Sequence, residues 1–273
     1  MIRLSVKDLR DNPRPSTKGN QLKWHRNGVW YKADYAGYEG LAEYTVSRLL
    51  QFSDLKPEEY VVYDTEEIIY EDRRLLGCRS DHFLDQNCQL ITLERMYKNQ
   101  YGESLSQTIR KIRDTDRRIE YLESVVFRMT GYNNFGSYLC KMLELDQIIL
   151  NEDRHFHNIA MIQTAEGKFE TAPLFDHGAA LLSDTTLDYP LEGDLYQMIG
   201  KVRSKTITED FEKQCDAAEK KWGTYLRFHC NRNDLIRILE QEPYYPSETK
   251  KRVEKILLEQ RRKYPYYYHE HEK

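Results

Sequence analysis

Between Leu150 and Ile162 the chain reads LNEDRHFHNIAMI, a dense polar cluster with apolar residues on both sides. Asp153 and Asn158 stand five positions apart, and eighteen residues beyond Asn158 comes LFDHGAALL, where Asp176 is followed by His177 and Gly178. A carboxylate, a carboxamide oxygen and a second carboxylate, carried on two loops, suit one task. They can hold Mg2+ against a triphosphate while a carboxylate positions an attacking hydroxyl. Magnesium takes hard oxygen ligands and keeps waters, so two protein ligands suffice once phosphates supply the rest. Gly178 is expected to let the backbone turn sharply behind Asp176. Asp-x4-Asn alone is a weak signal, and without its context reads as a polar turn or helix cap. His155 and His157 raise the alternative of a zinc pair, but no third soft ligand is spaced nearby. His155 is therefore read as packing beneath a nucleotide or bracing the loop, and His157 as a neutral structural histidine. Arg154 is expected to pair with a nearby carboxylate.

The elements that must carry these loops change in texture near residue 100. Before it the chain reads as short strands: QLKWHRNGVWYKAD alternates on either side of Asn27-Gly28, a two-residue hairpin signal. YVVYDTEEIIYEDRRLLGC and CQLITLERM read as further strands, and YEGLAEYTVSRLL as the one helix of this half. After residue 100 the apolar period is helical. DRRIEYLESVVFRMTG puts Ile119, Leu122, Val126 and Met129 on one face and stops at Gly131, a plausible C′ residue. GSYLCKMLELDQIIL repeats the pattern, TEDFEKQCDAAEKKW opens with Thr208 as the expected N-cap, and SETKKRVEKILLEQRRK opens likewise at Ser247. This is an α+β arrangement, a sheet-rich half followed by a larger helical one.

The order Asp-Arg-His-x-x-Asn and then Asp-x-Gly, preceded by YKADYAGYEGLAEYTVSRLL, resembles the HipA-like bacterial serine/threonine kinases. More distantly it resembles the phosphatidylinositol kinases. The likeness runs from about Gly19 through the helical half, without the extra N-terminal subdomain of full-length HipA proteins. It implies a two-lobed protein-kinase-like fold. Residues 1–98 would form the N-lobe, with phosphate loop, lysine strand, helix and a hinge at its end, and 99–273 the helical C-lobe. It also implies an ATP- and Mg2+-dependent phosphotransferase acting on a protein serine or threonine. Asp153 would orient or deprotonate the acceptor hydroxyl, and Asn158 and Asp176 would ligate Mg2+. Lys32 would neutralise the α- and β-phosphates and Glu43 would hold Lys32. Glu39, one helical turn earlier on the same face, competes for that role. Gly19, Asn20 and Gln21 would bring backbone N–H groups to phosphate oxygens, and backbone groups of Leu93, Glu94 and Arg95 would face adenine. Ser16 and Thr17 beside that loop are read as turn hydroxyls after Pro15, with autophosphorylation as the alternative the family suggests. An antitoxin-like protein partner follows from the resemblance only.

The bulk properties bound these readings. A net charge of −4 argues against a nucleic-acid coat or a polybasic membrane binder. No apolar run has the length of a membrane span, and five cysteines without a CxxC pair suit a reducing compartment, so a cytoplasmic protein is expected. The basic run KVRSK at 201–205 is read as a solvated face, with an acidic substrate as the alternative. Two rival functions stay open: a kinase of a lipid headgroup or small metabolite, and a nucleotide-binding pseudokinase or regulatory module.

Overall fold

The computed structural model describes residues 1–10 and 21–269, and the chain divides into two compact units that it enters in turn. Met1–His82 belongs to the first unit and carries β1 (Ile2–Arg3), β2 (Lys23–Arg26), β3 (Val29–Ala33), α1 (Glu39–Leu50), β4 (Asp64–Tyr70) and β5 (Arg73–Asp81). Phe83–Phe175 belongs to the second. It carries β6 (Gln89–Thr92), α2 (Leu93–Tyr101), α3 (Leu105–Lys111), α4 (Thr115–Thr130), α5 (Phe135–Ile149), β7 (Ala160–Gln163) and β8 (Phe169–Thr171). Asp176–Lys201 returns to the first unit with α6 (Leu195–Ile199). Val202–Leu226 then adds α7 (Phe211–Trp222) to the second, and Arg227–Lys273 ends in the first with α8 (Arg232–Glu240) and α9 (Ser247–Lys263). No helix among the described residues is long and apolar enough to cross a membrane.

The first unit is built on a five-stranded sheet in the order β1-β4-β5-β3-β2. Asn27 and Gly28 both take positive φ, and Arg26 pairs with Val29 across them, as a two-residue hairpin of right-handed strands demands. Glu71 and Asp72 do the same between β4 and β5 without a glycine, which is why that turn is harder to read in advance. Trp24, Tyr31, Ala33 and Ile68 form a buried cluster on this sheet. Helix α1 lies unusually close to the β3–β5 pair. A Cβ added to Gly40 would fall 2.4 Å from the carbonyl carbon of Gly77, and one added to Gly77 would fall 2.0 Å from the carbonyl oxygen of Lys32. Gly40 thus lets the first turn of α1 rest on β5, one turn before Glu43, while Gly77 lets β5 pass close to β3.

In the second unit β6-β7-β8 form a small antiparallel sheet. Helix α5 is buried along nearly its whole length, polar Glu144, Asp146 and Gln147 included. Helix α4 ends at Gly131 in the left-handed conformation, as its sequence indicates. Three local expectations are corrected. The strand expected through Leu93–Met96 is the start of α2, because Thr92 caps it by accepting from the Arg95 N–H, and Leu93, Met96 and Tyr97 bury one helical face. The N-cap of α7 is Asp210, which accepts from Lys213 N, while Thr208 closes a tight turn on Asp210. Ser247 is the first helical residue of α9 rather than its cap, since Pro246 already occupies the N-cap position.

Two buried carboxyls give each unit a pH dependence. Burial, reinforced by the charge of Glu39, pushes Asp34 up to about 7, against hydrogen bonds from the Gly40 N–H and the Tyr245 hydroxyl. Burial likewise pushes Glu144 up to about 7, although it accepts from the N–H groups of Tyr225 and Leu226. Both lie above their ordinary values of 3.8 and 4.5, so the folded chain keeps protons that the unfolded chain releases. This contribution is complete below about pH 4 and is lost as the pH rises through about 7. The melting temperature is therefore expected to fall between about pH 4 and 7, each carboxyl contributing at most about 4 kcal/mol. Asp34→Asn with Glu144→Gln should flatten the dependence in thermal melts; a curve that rises over this range would contradict the assignment.

Candidate active site

In the first unit the alternation of β3 turns Tyr31 and Ala33 into the core cluster and leaves Lys32, between them, for the α1 side. Its Nζ lies 2.7 Å from Glu43 Oε1 and 2.9 Å from Asp176 Oδ1. The Tyr63 ring sits 5.2 Å below the ammonium. The other oxygen of Glu43, Oε2, accepts from the His177 N–H at 2.8 Å, so one buried carboxylate grips both the lysine strand and the Asp176 loop. Burial works against the charge of Lys32, but Asp176 and Glu43 outweigh it and hold its pKa well above the usual lysine value.

The competition between Glu39 and Glu43 is resolved by backbone donors. Glu39 opens α1 and folds back to accept from the N–H groups of Tyr35, Ala36 and Gly37. Its negative charge at the helix N-terminus is favourable there, and the carboxylate is used up. Glu43, one turn on, is the one that meets Lys32. The sharp turn expected at Gly178 occurs at Asp176 itself, whose φ is 61°. Aspartate tolerates that left-handed conformation better than most residues. Gly178 instead sits under α1, where a methyl would come within 3.4 Å of Glu39 Cβ.

In the second unit α5 ends on Leu150 in the left-handed conformation, and the loop that follows is built around a buried ion pair. Arg154 donates from Nε to Asp146 Oδ2 at 3.0 Å, with both side chains essentially inaccessible. Asn151 Nδ2 donates to Asp146 Oδ1, and Arg154 Nη1 donates to the carbonyls of Asn158 and Phe175. This fixes the loop at both ends. Asn158 Nδ2 donates to the Asp153 carbonyl at 2.9 Å, a bond that does not use its amide oxygen. The carboxylate of Asp153 lies 3.1 Å from Lys205 Nζ and 3.9 Å from His155 Nε2. The His155 and His157 rings meet edge-on at 5.5 Å. Among the described residues, no group of three or more His, Cys, Asp or Glu side chains is placed to hold a metal ion.

Leu93, Glu94 and Arg95, whose backbone groups are expected to face adenine, open α2. The N–H groups of Leu93 and Glu94 donate to the carbonyls of Ile159 and Phe156, and that of Arg95 to Thr92 Oγ1. Two of these donors thus tie the start of α2 to the segment that carries Phe156 and Ile159. Gln21 precedes β2, whereas Gly19, Asn20, Ser16 and Thr17 lie outside the described residues. Sequence reasoning missed Tyr63, Asp146 and Lys205. Asp146 left a trace as a carboxylate in a largely apolar helix, and Lys205 as the end of the basic run KVRSK.

The five-stranded sheet of the first unit and the helices of the second give the chain a kinase-like fold, which it shares with two solved proteins. Over 95% of this chain and 94% of the other, it is similar to the Helicobacter pylori proinflammatory kinase CtkA, with a TM-score of 0.58 and 14% identity. It is also similar to HipA of the Shewanella oneidensis MR-1 toxin–antitoxin system, solved with HipB and operator DNA. There the TM-score is 0.50, the identity 14%, and the match covers 96% of this chain and 68% of that one. Neither a protein-family model nor a curated protein matches the chain by sequence.

Proposed function

We propose that this chain is an ATP- and Mg2+-dependent serine/threonine protein kinase of the HipA-like type. The observation that carries the reading is the Lys32 ammonium held between Glu43 and Asp176 at 2.7 and 2.9 Å. A largely buried lysine with two carboxylates costs desolvation that an apolar side chain would avoid, so the arrangement is better explained by a polyanion it serves. In this reading Lys32 neutralises the α- and β-phosphates of ATP, and Glu43 keeps its ammonium aimed. Asp153 orients the acceptor hydroxyl and accepts its proton. The Asn158 amide oxygen and the Asp176 carboxylate are hard donors that fit Mg2+, whose chemistry when bound is to offset charge on the phosphate oxygens. Such transfer needs positioning and charge neutralisation rather than a covalent enzyme intermediate. A protein partner of the kind HipB is for HipA belongs to the same proposal.

The test is incubation of the purified chain with γ-labelled ATP and Mg2+, offering lysate proteins, phosphoinositide vesicles and sugars as acceptors. Label is expected on protein serine or threonine, and Asp176→Asn should reduce it by about 10³-fold, as loss of a key charge-positioning group does. Label confined to lipid or sugar would move the acceptor class, and wild-type transfer by Asp176→Asn would defeat the reading. Nucleotide binding with no transfer to any acceptor would favour a regulatory module.

A further inference from the structure

Ser204 and Lys205 end the basic run that sequence alone reads as a solvated face, and together with Thr206 they have surroundings that say otherwise. Burial alternates strictly from Val202 to Thr206: Val202, Ser204 and Thr206 are inside, and Arg203 and Lys205 outside. The two inward hydroxyls are bound within the second unit. Ser204 Oγ donates to Gln214 Oε1 and accepts from the Thr206 N–H. Gln214, wholly buried, also accepts from the Ile207 N–H through the same oxygen. Thr206 Oγ1 donates to the Arg154 carbonyl at 2.7 Å. The residue after Lys205 is therefore tied to the residue after Asp153, and the side chains of those two leading residues meet at 3.1 Å.

An exposed ion pair contributes about 0–1 kcal/mol and by itself gives no reason for a buried hydroxyl scaffold. A scaffold of this kind is what places a charged group accurately. Lysine offers three donors on a flexible stem, so one ammonium can touch a carboxylate and a phosphate oxygen together. We propose that Lys205 is a second phosphate-directed cation, bridging Asp153 and the γ-phosphoryl group as it transfers. This rests on the reading of Asp153 as the carboxylate that orients the acceptor. In the step served, the bond from the γ-phosphorus to the β-phosphate oxygen breaks and ADP leaves. The bond to the acceptor oxygen forms, the hydroxyl proton passes to Asp153, and Lys205 keeps its own protons. Charge on the phosphoryl oxygens is then offset by a fixed cation, which acts on the transition state more than on bound ATP.

The experiment measures ADP formation from Mg·ATP, with water or lysate proteins as acceptor, together with nucleotide binding and thermal melts. The variants are Lys205→Ala, Lys205→Arg and Asp153→Asn. The expected result is a kcat about 100-fold lower for Lys205→Ala. Its KM for ATP should stay within about threefold and its melting temperature within about 2 °C, because only an exposed side chain is removed. Lys205→Arg should recover about a tenth or more of the activity, since the charge is kept while its placement changes. A Lys205→Ala enzyme with wild-type kcat, or one that loses only ATP affinity, overturns the role of the lysine while an inactive Asp153→Asn leaves the kinase reading standing. If Asp153→Asn turns over like the wild type, or the wild type forms no ADP, the reading of Asp153 itself fails and the lysine's role with it.

Discussion

Lys32→Ala is expected to lower phosphate transfer by at least about 10²- to 10³-fold, the loss found when a preorganised charge facing the transition state is removed. It should also destabilise the first unit. Glu43, 2% exposed at its side chain, would keep its charge without the ammonium that balances it. Stranding one partner of a buried pair costs about 3–5 kcal/mol, and in a chain of this size that lowers the melting temperature by roughly 10 °C. The double variant Lys32→Met with Glu43→Gln separates the two effects. With both charges gone it should regain most of the lost stability while remaining inactive. Were Lys32→Ala to keep wild-type turnover, the ion pair would be structural and the functional proposal would lose its main support.

Arg154→Ala is expected to have the largest effect in the second unit. Asp146 is wholly buried, and burial raises its pKa even with Arg154 and Asn151 beside it. Removing the guanidinium leaves that carboxyl with Asn151 and frees the Asn158 and Phe175 carbonyls from their donor. The expected cost is again about 3–5 kcal/mol. Activity should fall by about 100-fold in whatever fraction stays folded, since a displacement near 1 Å at Asp153 and Asn158 is enough for that. Arg154→Lys should rescue little, because one ammonium cannot reach Asp146 and two carbonyls in a planar fork. Calorimetric melts and labelled transfer read both effects. A variant that melts within about 2 °C of the wild type would show the pair to be dispensable, contrary to the usual cost of an unpaired buried charge.

Both predictions depend on features that differ in how far they can be read from the chain. Local rules reach the Asn27-Gly28 hairpin, the amphipathic period of α4 and its Gly131 stop, because φ preferences and apolar spacing act over a few residues. The Asp-x4-Asn and Asp-x-Gly spacing, with Lys32 and a helix behind it, likewise stands in the linear order, and so did the α+β class. At Leu93 the reading failed: the apolar residues of β6 ran on into Leu93 and Met96, and one hydroxyl cap at Thr92 outweighed them.

What the linear order could not supply was which of two competing groups meets a given partner. Glu39 and Glu43 share a helix face, and the N–H groups of Tyr35, Ala36 and Gly37, just ahead of α1, withdrew Glu39 by donating to it. Asp146 reaches Arg154 across a helix end, and Lys205 reaches Asp153 across 52 residues. The Asp146–Arg154 pair forms because burial makes an unmatched charge expensive, and the Lys205–Asp153 pair because the buried hydroxyls of Ser204 and Thr206 hold the neighbouring backbone in place. Residue types and their spacing thus determined the chemistry available to this protein, while the tertiary structure decided which carboxylate meets which cation, because desolvation is felt only after the chain has closed around them.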